Sequence, residues 1–193
     1  METFDYLVAL FSIVIGLGLA EVAVSLNRLL RSAGLKHDPL IFGPPILVTL
    51  MLVSIWFDTW AIKGVPNLFT FPFFVAMFGQ LLLLYLLAAA CVPKAASEGI
   101  CLKADSYEEN RRYFWLIFSA YQAMYAGFWI FFAVRKGLTP GALIGRIFLP
   151  SGGATPLVIG VVMAATRNRL VQGAGLLFLT AWIVVEYWNY TIS

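Results

Sequence analysis

The chain has 193 residues, of which 61% are hydrophobic and only 12% carry a charge. A soluble domain is about 45–50% apolar and about 25% charged, so this composition excludes an ordinary soluble fold. It also excludes intrinsic disorder, because disordered segments are poor in apolar residues. The net charge of +3 is small, and no basic patch interleaved with aromatic residues indicates a nucleic-acid partner.

Six apolar stretches follow one another along the chain. A membrane helix requires about 20 mostly apolar residues, and the stretches have approximate limits 5–27, 40–62, 68–92, 111–134, 141–166 and 173–190. We therefore predict an all-α polytopic membrane protein in which 1–193 is a single transmembrane domain, a compact six-helix bundle with short loops. The segment before the first stretch is acidic, whereas a signal peptide begins with positive charge, so we expect that stretch to be retained as a helix.

Local sequence signals mark where two helices begin. Asp38 followed by Pro39 is typical of an N-cap and a first helical residue, which places the start of the second helix there. Ser106 and Glu109 have the spacing of a capping box, in which each side chain binds the backbone N–H of the other residue. We therefore expect the fourth helix to begin at this box, ahead of the membrane.

The fifth stretch is interrupted by prolines and glycines. Thr155 followed by Pro156 predicts a new helix start inside it. Two arrangements fit: one discontinuous helix, or a segment 141–150 in the interface followed by a short span from about 155 to 170. A re-entrant segment ranks third, because it would place Arg167 and Arg169 on the outer side of the membrane. A broken helix would present backbone N–H groups from Ser151 onward, which favours anions, whereas the simpler interpretation is an ordinary turn.

The positive charges predict an orientation. Most of the 13 lysine and arginine residues lie in or beside the loops 28–39, 93–110 and 167–172, and such loops are cytoplasmic in most membrane proteins. Both termini are then expected on the outer side of the membrane. We expect this membrane to be a bacterial-type inner membrane or a plasma membrane. Tryptophan and tyrosine residues at the predicted interfaces agree with this orientation.

The first helix carries two stripes of small or polar residues, which lie on opposite faces of the helix. One stripe consists of small residues, which in membranes allow helices to approach closely; its members are Ala9, Ser12, Gly16, Ala20, Ala23 and Asn27. The other stripe contains Gly18, Glu21, Ser25 and Arg28. These stripes predict that the first helix is central, enclosed by protein on both sides, and that the protein assembles as a homo-oligomer.

Glu21 is the ionisable residue farthest from the ends of its predicted helix. A charged side chain inside a membrane costs about 2.5 kcal/mol or more, so it must be neutral, paired or in contact with water. The functional interpretation places Glu21 and Ser25 on an ion or solute pathway. The structural alternative is a neutral carboxylic acid that hydrogen-bonds to a neighbouring helix.

Two further groups of polar residues are candidates. Asp58, Arg146 and Glu186 lie near the predicted outer ends of their helices and form a candidate outer charge cluster, although long side chains at such depths also reach the interface without a function. Gln80 and Gln122 lie at the midpoints of the third and fourth helices. They predict either an amide pair between helices or, together with Ser119 and Tyr125, a polar pathway site.

The sequence argues against most catalytic chemistry. It has one histidine, His37, and two cysteines, Cys91 and Cys101, so it contains no set of residues typical of a catalytic triad, a metal centre or a cofactor site. We expect a non-enzymatic channel or transporter for a small ion or solute, with an intramembrane carboxylate. The alternative is a non-catalytic subunit, sensor or effector that contacts a partner membrane protein.

Overall fold

A computed structural model describes residues 3–31, 39–61, 70–92, 106–135 and 153–188. Throughout these residues the chain is helical, with no strand. The helices are α1 (Thr3–Arg31), α2 (Gly43–Ala61), α3 (Phe71–Ala90), α4 (Ser106–Arg135), α5 (Ala154–Ala165) and α6 (Arg169–Tyr187), and a 3-10 turn covers Pro39–Ile41. Each helix overlaps one of the six apolar stretches, so the all-helical prediction is confirmed for the described residues.

Five of these helices are long and apolar enough to cross a membrane. The candidate spans are Tyr6–Arg31, Gly43–Trp60, Phe71–Ala90, Asn110–Phe131 and Arg169–Tyr187. In contrast, α5 has 12 residues, which at 1.5 Å per residue is about 18 Å, less than the roughly 30 Å of hydrocarbon in a bilayer. The described helix of the fifth stretch is therefore short, and the segment 141–150 lies outside the described residues.

Large apolar side chains point outward from several helices. Phe71 is 80% exposed, Leu177 73% and Val185 74%. A water-soluble monomer rarely exposes contiguous apolar surface on this scale, whereas lipid tails solvate such side chains. The outer surface is therefore compatible with an integral membrane location.

The six described helices form a ring of five, with α1 outside it. Neighbouring pairs run α2–α3, α3–α4, α4–α5, α5–α6 and α6–α2, which closes the ring. The main neighbours of α1 are α2 and α3, against which it packs Phe11, Ile15 and Leu29. Within the described residues, the prediction that the first helix is enclosed by protein on both sides is therefore wrong. Its buried side carries apolar residues together with Gly18 and Ser25 of the second predicted stripe, whereas the small-residue stripe is exposed.

Polar contacts align the helix ends that carry the arginines. Asn110 at the start of α4 donates a hydrogen bond to the carbonyl of Ala90 at the end of α3. Arg111 likewise donates to the carbonyl of Thr166, just beyond α5. We call this end of the bundle the arginine end. At the opposite end, the rings of Phe73 and Phe128 lie 5.7 Å apart, so α3 and α4 run antiparallel.

The helix starts differ from two of the predictions. Pro39 belongs to the 3-10 turn, and α2 begins at Gly43 with two prolines, Pro44 and Pro45, in its first turn. A helix needs no backbone N–H donor in its first turn, so the first turn accommodates both prolines. Asp38 lies outside the described residues. The fourth helix does begin at Ser106, while the side chains of the predicted capping box lie outside what the structure describes.

The fifth helix begins at a glycine rather than at Thr155. Gly153 is its N-cap, with a φ of 77°, a left-handed conformation that glycine adopts without a steric cost. A Cβ at this position would lie 3.0 Å from a ring carbon of Tyr125 and 3.1 Å from the backbone nitrogen of Ala126. The predicted N-cap is therefore wrong, because close contact with α4 requires glycine where the helix starts.

Candidate functional site

The most distinctive polar site is the carboxylate of Asp58, near the end of α2. The hydroxyl of Tyr187, on α6, donates a hydrogen bond to Oδ1 at 2.6 Å. The hydroxyl of Tyr125, on α4, donates to Oδ2 at 3.3 Å. Asp58 is partly buried, so one carboxylate joins three helices of the ring. We call these three residues the Asp58 site.

A second carboxylate lies close to the Asp58 site. Glu186 is one residue before Tyr187, is partly exposed and is within electrostatic range of Asp58. The indole N–H of Trp182 hydrogen-bonds to Glu186, and that of Trp129 hydrogen-bonds to Tyr125. Two carboxylates are thus surrounded by neutral donors. Throughout the described part of the chain, we find no basic side chain paired with Asp58.

Polar groups continue from the Asp58 site toward the middle of the bundle. The rings of Tyr125 and Tyr121 stack with centroids 6.4 Å apart and planes at 11°. Tyr121 is buried and hydrogen-bonds with the side chain of Gln80, on α3. The hydroxyl and amide groups of these residues therefore form a sparse polar line inside an otherwise apolar interior.

This arrangement suits the binding of a small cation or a proton. Tyrosine hydroxyls can donate to an ionised carboxylate, and after reorientation their oxygens can accept from a protonated one. Two nearby carboxylates attract positive charge, since their mutual repulsion falls when a cation or proton binds. Binding of a cation or a proton to Asp58 would therefore change the hydrogen bonds that join α2, α4 and α6.

The structure brings together part of the predicted outer cluster. Asp58 and Glu186 are neighbours, as the sequence suggested, while Arg146 lies outside the described residues. The sequence does not distinguish Tyr187 from the other aromatic residues expected at the membrane interface. Tyr125 belongs to the Asp58 site rather than to a midplane site with Ser119, whose hydroxyl donates to the carbonyl of Trp115 at 2.7 Å.

The two central glutamines are both buried, at 4% exposure for Gln80 and 8% for Gln122. The described partner of Gln80 is Tyr121, the residue before Gln122. On α4 adjacent residues point about 100° apart, so Tyr121 rather than Gln122 presents its polar group to Gln80. The structure thus gives Gln80 a tyrosine partner in place of the predicted amide.

A second polar network lies at the arginine end, around Gln172 of α6. Gln172 is fully buried, with 0% exposure. Its Oε1 accepts hydrogen bonds from the hydroxyl of Tyr107 and from the indole N–H of Trp115, both at 2.9 Å. Its Nε2 donates to the carbonyls of Met163 at 2.7 Å and Thr166 at 2.8 Å. One side chain therefore joins α4, the end of α5 and α6.

Arg111 completes this network. Its guanidinium is buried at 5% exposure and pairs with Glu108 at 3.1 Å. One of its nitrogens also donates to the carbonyls of Met163, Ala164 and Thr166, at 2.7, 3.1 and 2.6 Å. The last carbonyls of a helix have no partner within it, so Arg111 caps α5 from α4. The sequence does not single out Arg111 or Gln172, because Arg111 directly follows the predicted loop 93–110 and Gln172 lies in the predicted loop 167–172.

Glu21 lies on the side of α1 that adjoins α3. It is partly buried and close enough to Cys91, the C-cap of α3, to influence it electrostatically. Ser25, from the same predicted stripe, is buried at 8% exposure. Cys91 also lines a small, partly open pocket with Asn110 and Arg111. Glu21 is thus near the arginine end, far from the Asp58 site.

Cys91 is expected to react slowly with alkylating reagents. Burial, with a smaller contribution from the Glu21 carboxylate, raises the pKa of its thiol to about 12, and the thiolate is the reactive form. At pH 8.5, where an ordinary cysteine is about half ionised, we expect alkylation in a Cys101→Ser variant to be roughly a thousandfold slower than in the SDS-unfolded chain. Iodoacetamide labelling followed by mass spectrometry measures this ratio, and equal rates would contradict it.

The small-residue stripe of α1 faces away from the rest of the chain. All of its predicted members are exposed: Ala9, Ser12, Gly16, Ala20, Ala23 and Asn27. A Cβ added at Gly16 would meet no atom within 4 Å. Within the described residues these side chains are therefore exposed, and their predicted role in packing against another helix or another copy stays a prediction.

Metal ligands do not cluster in the described ranges, where no group of three or more histidine, cysteine, aspartate or glutamate side chains is placed to hold an ion.

Comparison with protein-family models, with curated proteins and with solved structures found no match for this chain.

Proposed function

We propose that the protein is an integral membrane transporter or channel for a small cation, with Asp58 as the cation-binding carboxylate. The observation that carries this proposal is a carboxylate held by two tyrosine hydroxyls from separate helices, beside the second carboxylate of Glu186. Carboxylates are costly inside a membrane and usually serve ion pathways there. A purely structural tie between helices would need only neutral partners.

The proposal includes six membrane crossings. The arginine end is placed in the cytoplasm by the positive-inside rule, so the Asp58 site lies near the outer face, with both ends of the chain outside. Five crossings use the helices of sufficient length. The sixth is assigned to the fifth apolar stretch, of which α5 forms about 18 Å. No catalytic reaction is proposed.

The proposal is tested by replacing Asp58 with asparagine, which keeps the shape of the side chain and cannot ionise. Purified protein in proteoliposomes is given gradients of protons, Na⁺ and K⁺, each with its own fluorescent or isotope readout. We expect wild-type protein to dissipate at least one gradient and Asp58→Asn to reduce that flux at least tenfold. The Tyr187→Phe variant, which removes the shorter of the two hydrogen bonds, should reduce the flux by a smaller factor.

Two other variants sharpen this test. Glu108→Gln removes a carboxylate at the arginine end and should leave the flux unchanged, which controls for loss of charge. Glu21→Gln separates the two intramembrane candidates. Loss of flux in Glu21→Gln with normal flux in Asp58→Asn would move the cation site to α1 and overturn the assignment. Absence of any gradient dissipation by wild-type protein would overturn transport itself.

A second candidate function is favoured by the exposed stripe on α1. A membrane subunit, sensor or effector that acts by contact needs a face on which helices can approach closely, and small residues provide one. In this case enlarging Gly16 or Ala20 to leucine should abolish assembly, whether with a second copy or with another membrane protein, and leave the fold of the chain intact. Native mass spectrometry and co-purification from mild detergent measure this.

A further inference from the structure

The two hydroxyls that hold Asp58 can hold it in either protonation state. Tyr187 donates to Oδ1 at 2.6 Å, the length of a strong hydrogen bond to an ionised oxygen, and Tyr125 donates to Oδ2 at 3.3 Å. A hydroxyl group is both a donor and an acceptor, and its hydrogen rotates to suit the partner. When Asp58 takes up a proton, a tyrosine hydroxyl can therefore turn its own hydrogen away and accept the new O–H.

Two indole N–H groups form the next layer around this carboxylate. That of Trp129 hydrogen-bonds to Tyr125, and that of Trp182 hydrogen-bonds to Glu186. An alkali ion inside a protein needs oxygen atoms that replace its hydration shell. An indole N–H is a donor only, so it cannot ligate such an ion and it occupies oxygens that otherwise could. The layer therefore suits a proton better than Na⁺ or K⁺.

The charges around Asp58 also favour the uptake of one proton. Within the described residues, the titratable groups in electrostatic range of Asp58 are Glu186, Tyr187, Tyr125 and Tyr121. Two of the five groups are carboxylates, and one proton relieves the repulsion between them. The third helix faces this region with the neutral Gln80, and Glu21 of α1 is near the arginine end.

Buried hydroxyl and amide groups continue from Asp58 into the bundle. Tyr121 lies one helical turn deeper than Tyr125, and the two rings stack with centroids 6.4 Å apart. Tyr121 hydrogen-bonds with Gln80, and both side chains are 4% exposed. Polar side chains inside membrane proteins form proton relays, and a proton passes between hydroxyls without an opening wide enough for a hydrated ion.

We propose that the transported cation is a proton, which binds Asp58 and continues inward through Tyr125 and Tyr121. The carboxyl group gives its proton to the oxygen of Tyr125, while the hydroxyl proton of Tyr125 moves to Tyr121 through a bridging water molecule. Asp58 thereby becomes a carboxylate again, and nothing is oxidised or reduced. This inference rests on the proposed transport function and adds the identity of the cation.

The cation is identified with wild-type protein in proteoliposomes. Proton flux down a pH gradient is recorded with a pH-sensitive dye, with thiocyanate as the permeant anion that balances charge. We expect the same proton flux when N-methylglucamine replaces all Na⁺ and K⁺. At equal pH on both sides, gradients of Na⁺ and of K⁺ should persist as they do in liposomes without protein.

Proton binding is measured separately from transport. Infrared difference spectra of the purified protein, taken between acidic and alkaline solution, report the C=O stretch of protonated carboxyl groups. We expect one such band to disappear in Asp58→Asn and to remain in Glu108→Gln, which removes a carboxylate at the arginine end. In wild-type protein, addition of Na⁺ or K⁺ should leave the pH at which this band appears unchanged.

The inward path is tested by Tyr121→Phe, which removes one buried hydroxyl and keeps the ring. We expect proton flux to fall about tenfold, the effect of one lost hydrogen bond on a barrier, while the infrared band of Asp58 remains. Tyr113→Phe makes the same change on α4 at a side chain that is 56% exposed, and it should leave the flux unchanged.

The possible failures are distinguishable. Flux of Na⁺ or K⁺ that depends on Asp58, or displacement of the infrared band by either ion, would overturn the proton assignment and leave the proposed transport function standing. Equal flux in Tyr121→Phe and Tyr113→Phe would overturn the path through Tyr121. Absence of flux for every cation would overturn the proposed function and this inference together. The ion replacements use wild-type protein, so they decide the outcome even if a variant does not fold.

Discussion

Replacement of Gln172 by leucine is expected to lower the free energy of unfolding by about 2–4 kcal/mol. The substitution removes four hydrogen bonds of a fully buried side chain. Hydrogen bonds between membrane helices contribute about 0.6 kcal/mol each on average, and each buried group left without a partner costs about 1–3 kcal/mol. Because Arg111 still donates to two of the affected carbonyls, the loss should stay within this range.

Unfolding by SDS, followed by circular dichroism, measures the effect of Gln172→Leu. Tyr107→Phe is the matched control, since it removes only one of the four hydrogen bonds, the one at 2.9 Å to Oε1. We expect it to cost about 1 kcal/mol. If Gln172→Leu costs no more than Tyr107→Phe, then the network does not stabilise the junction of α4, α5 and α6, and α5 must be held mainly by apolar packing.

Replacement of Gly160 by alanine is expected to destabilise the protein by about 1–3 kcal/mol, the usual cost of overpacking. A Cβ on Gly160 would lie 2.7 Å from Cδ1 of Phe118 and 2.7 Å from Oγ of Ser119. Both neighbours are on α4 and buried, at 1% and 8% exposure, so neither can move away easily. Helix propensity alone predicts the opposite sign, because alanine is favoured over glycine in a helix by about 1 kcal/mol.

Gly16→Ala isolates the propensity term, since a Cβ at Gly16 meets nothing within 4 Å. We expect Gly16→Ala to be neutral or to stabilise the chain by up to about 1 kcal/mol. In the Gly160→Ala background, Ser119→Ala should recover part of the lost stability, because it removes one of the two shortest contacts. Equal effects of Gly16→Ala and Gly160→Ala in SDS unfolding would show that α4 and α5 are not in close contact at Gly160.

The sequence located the helices well and their neighbours poorly. Hydrophobicity over about 20 residues follows directly from the thickness of a bilayer, so it places each apolar stretch without knowledge of the fold. The two stripes of α1 illustrate the limit of this approach. Small residues favour close contact between membrane helices, yet within the described residues the small-residue stripe is exposed. The buried side carries Phe11, Ile15 and Leu29, together with Gly18 and Ser25 of the other predicted stripe.

Only part of the candidate site could be predicted, again because the sequence does not show which helices are adjacent. Asp58 and Glu186 stand out in the sequence because charge is costly in an apolar stretch. Tyr187 does not stand out, because tyrosine is common both in helix interiors and at the interface. Tyr125 is a candidate from the sequence, but there it is grouped with Gln122 and Ser119 rather than with Asp58. Their role depends on which helices are adjacent, and residues 67 and 129 positions away from their partner can be paired only by the tertiary structure.

The amino-acid composition by itself predicted the class of this protein, a bundle of long apolar helices. A chain with 61% hydrophobic and 12% charged residues has too little polar surface for water, so long apolar helices were the expected result. Only the tertiary structure decided where the few polar groups meet. It placed Asp58 between two tyrosines and Gln172 at the end of α5, because buried polar groups must find partners and those partners come from helices that are distant in the sequence.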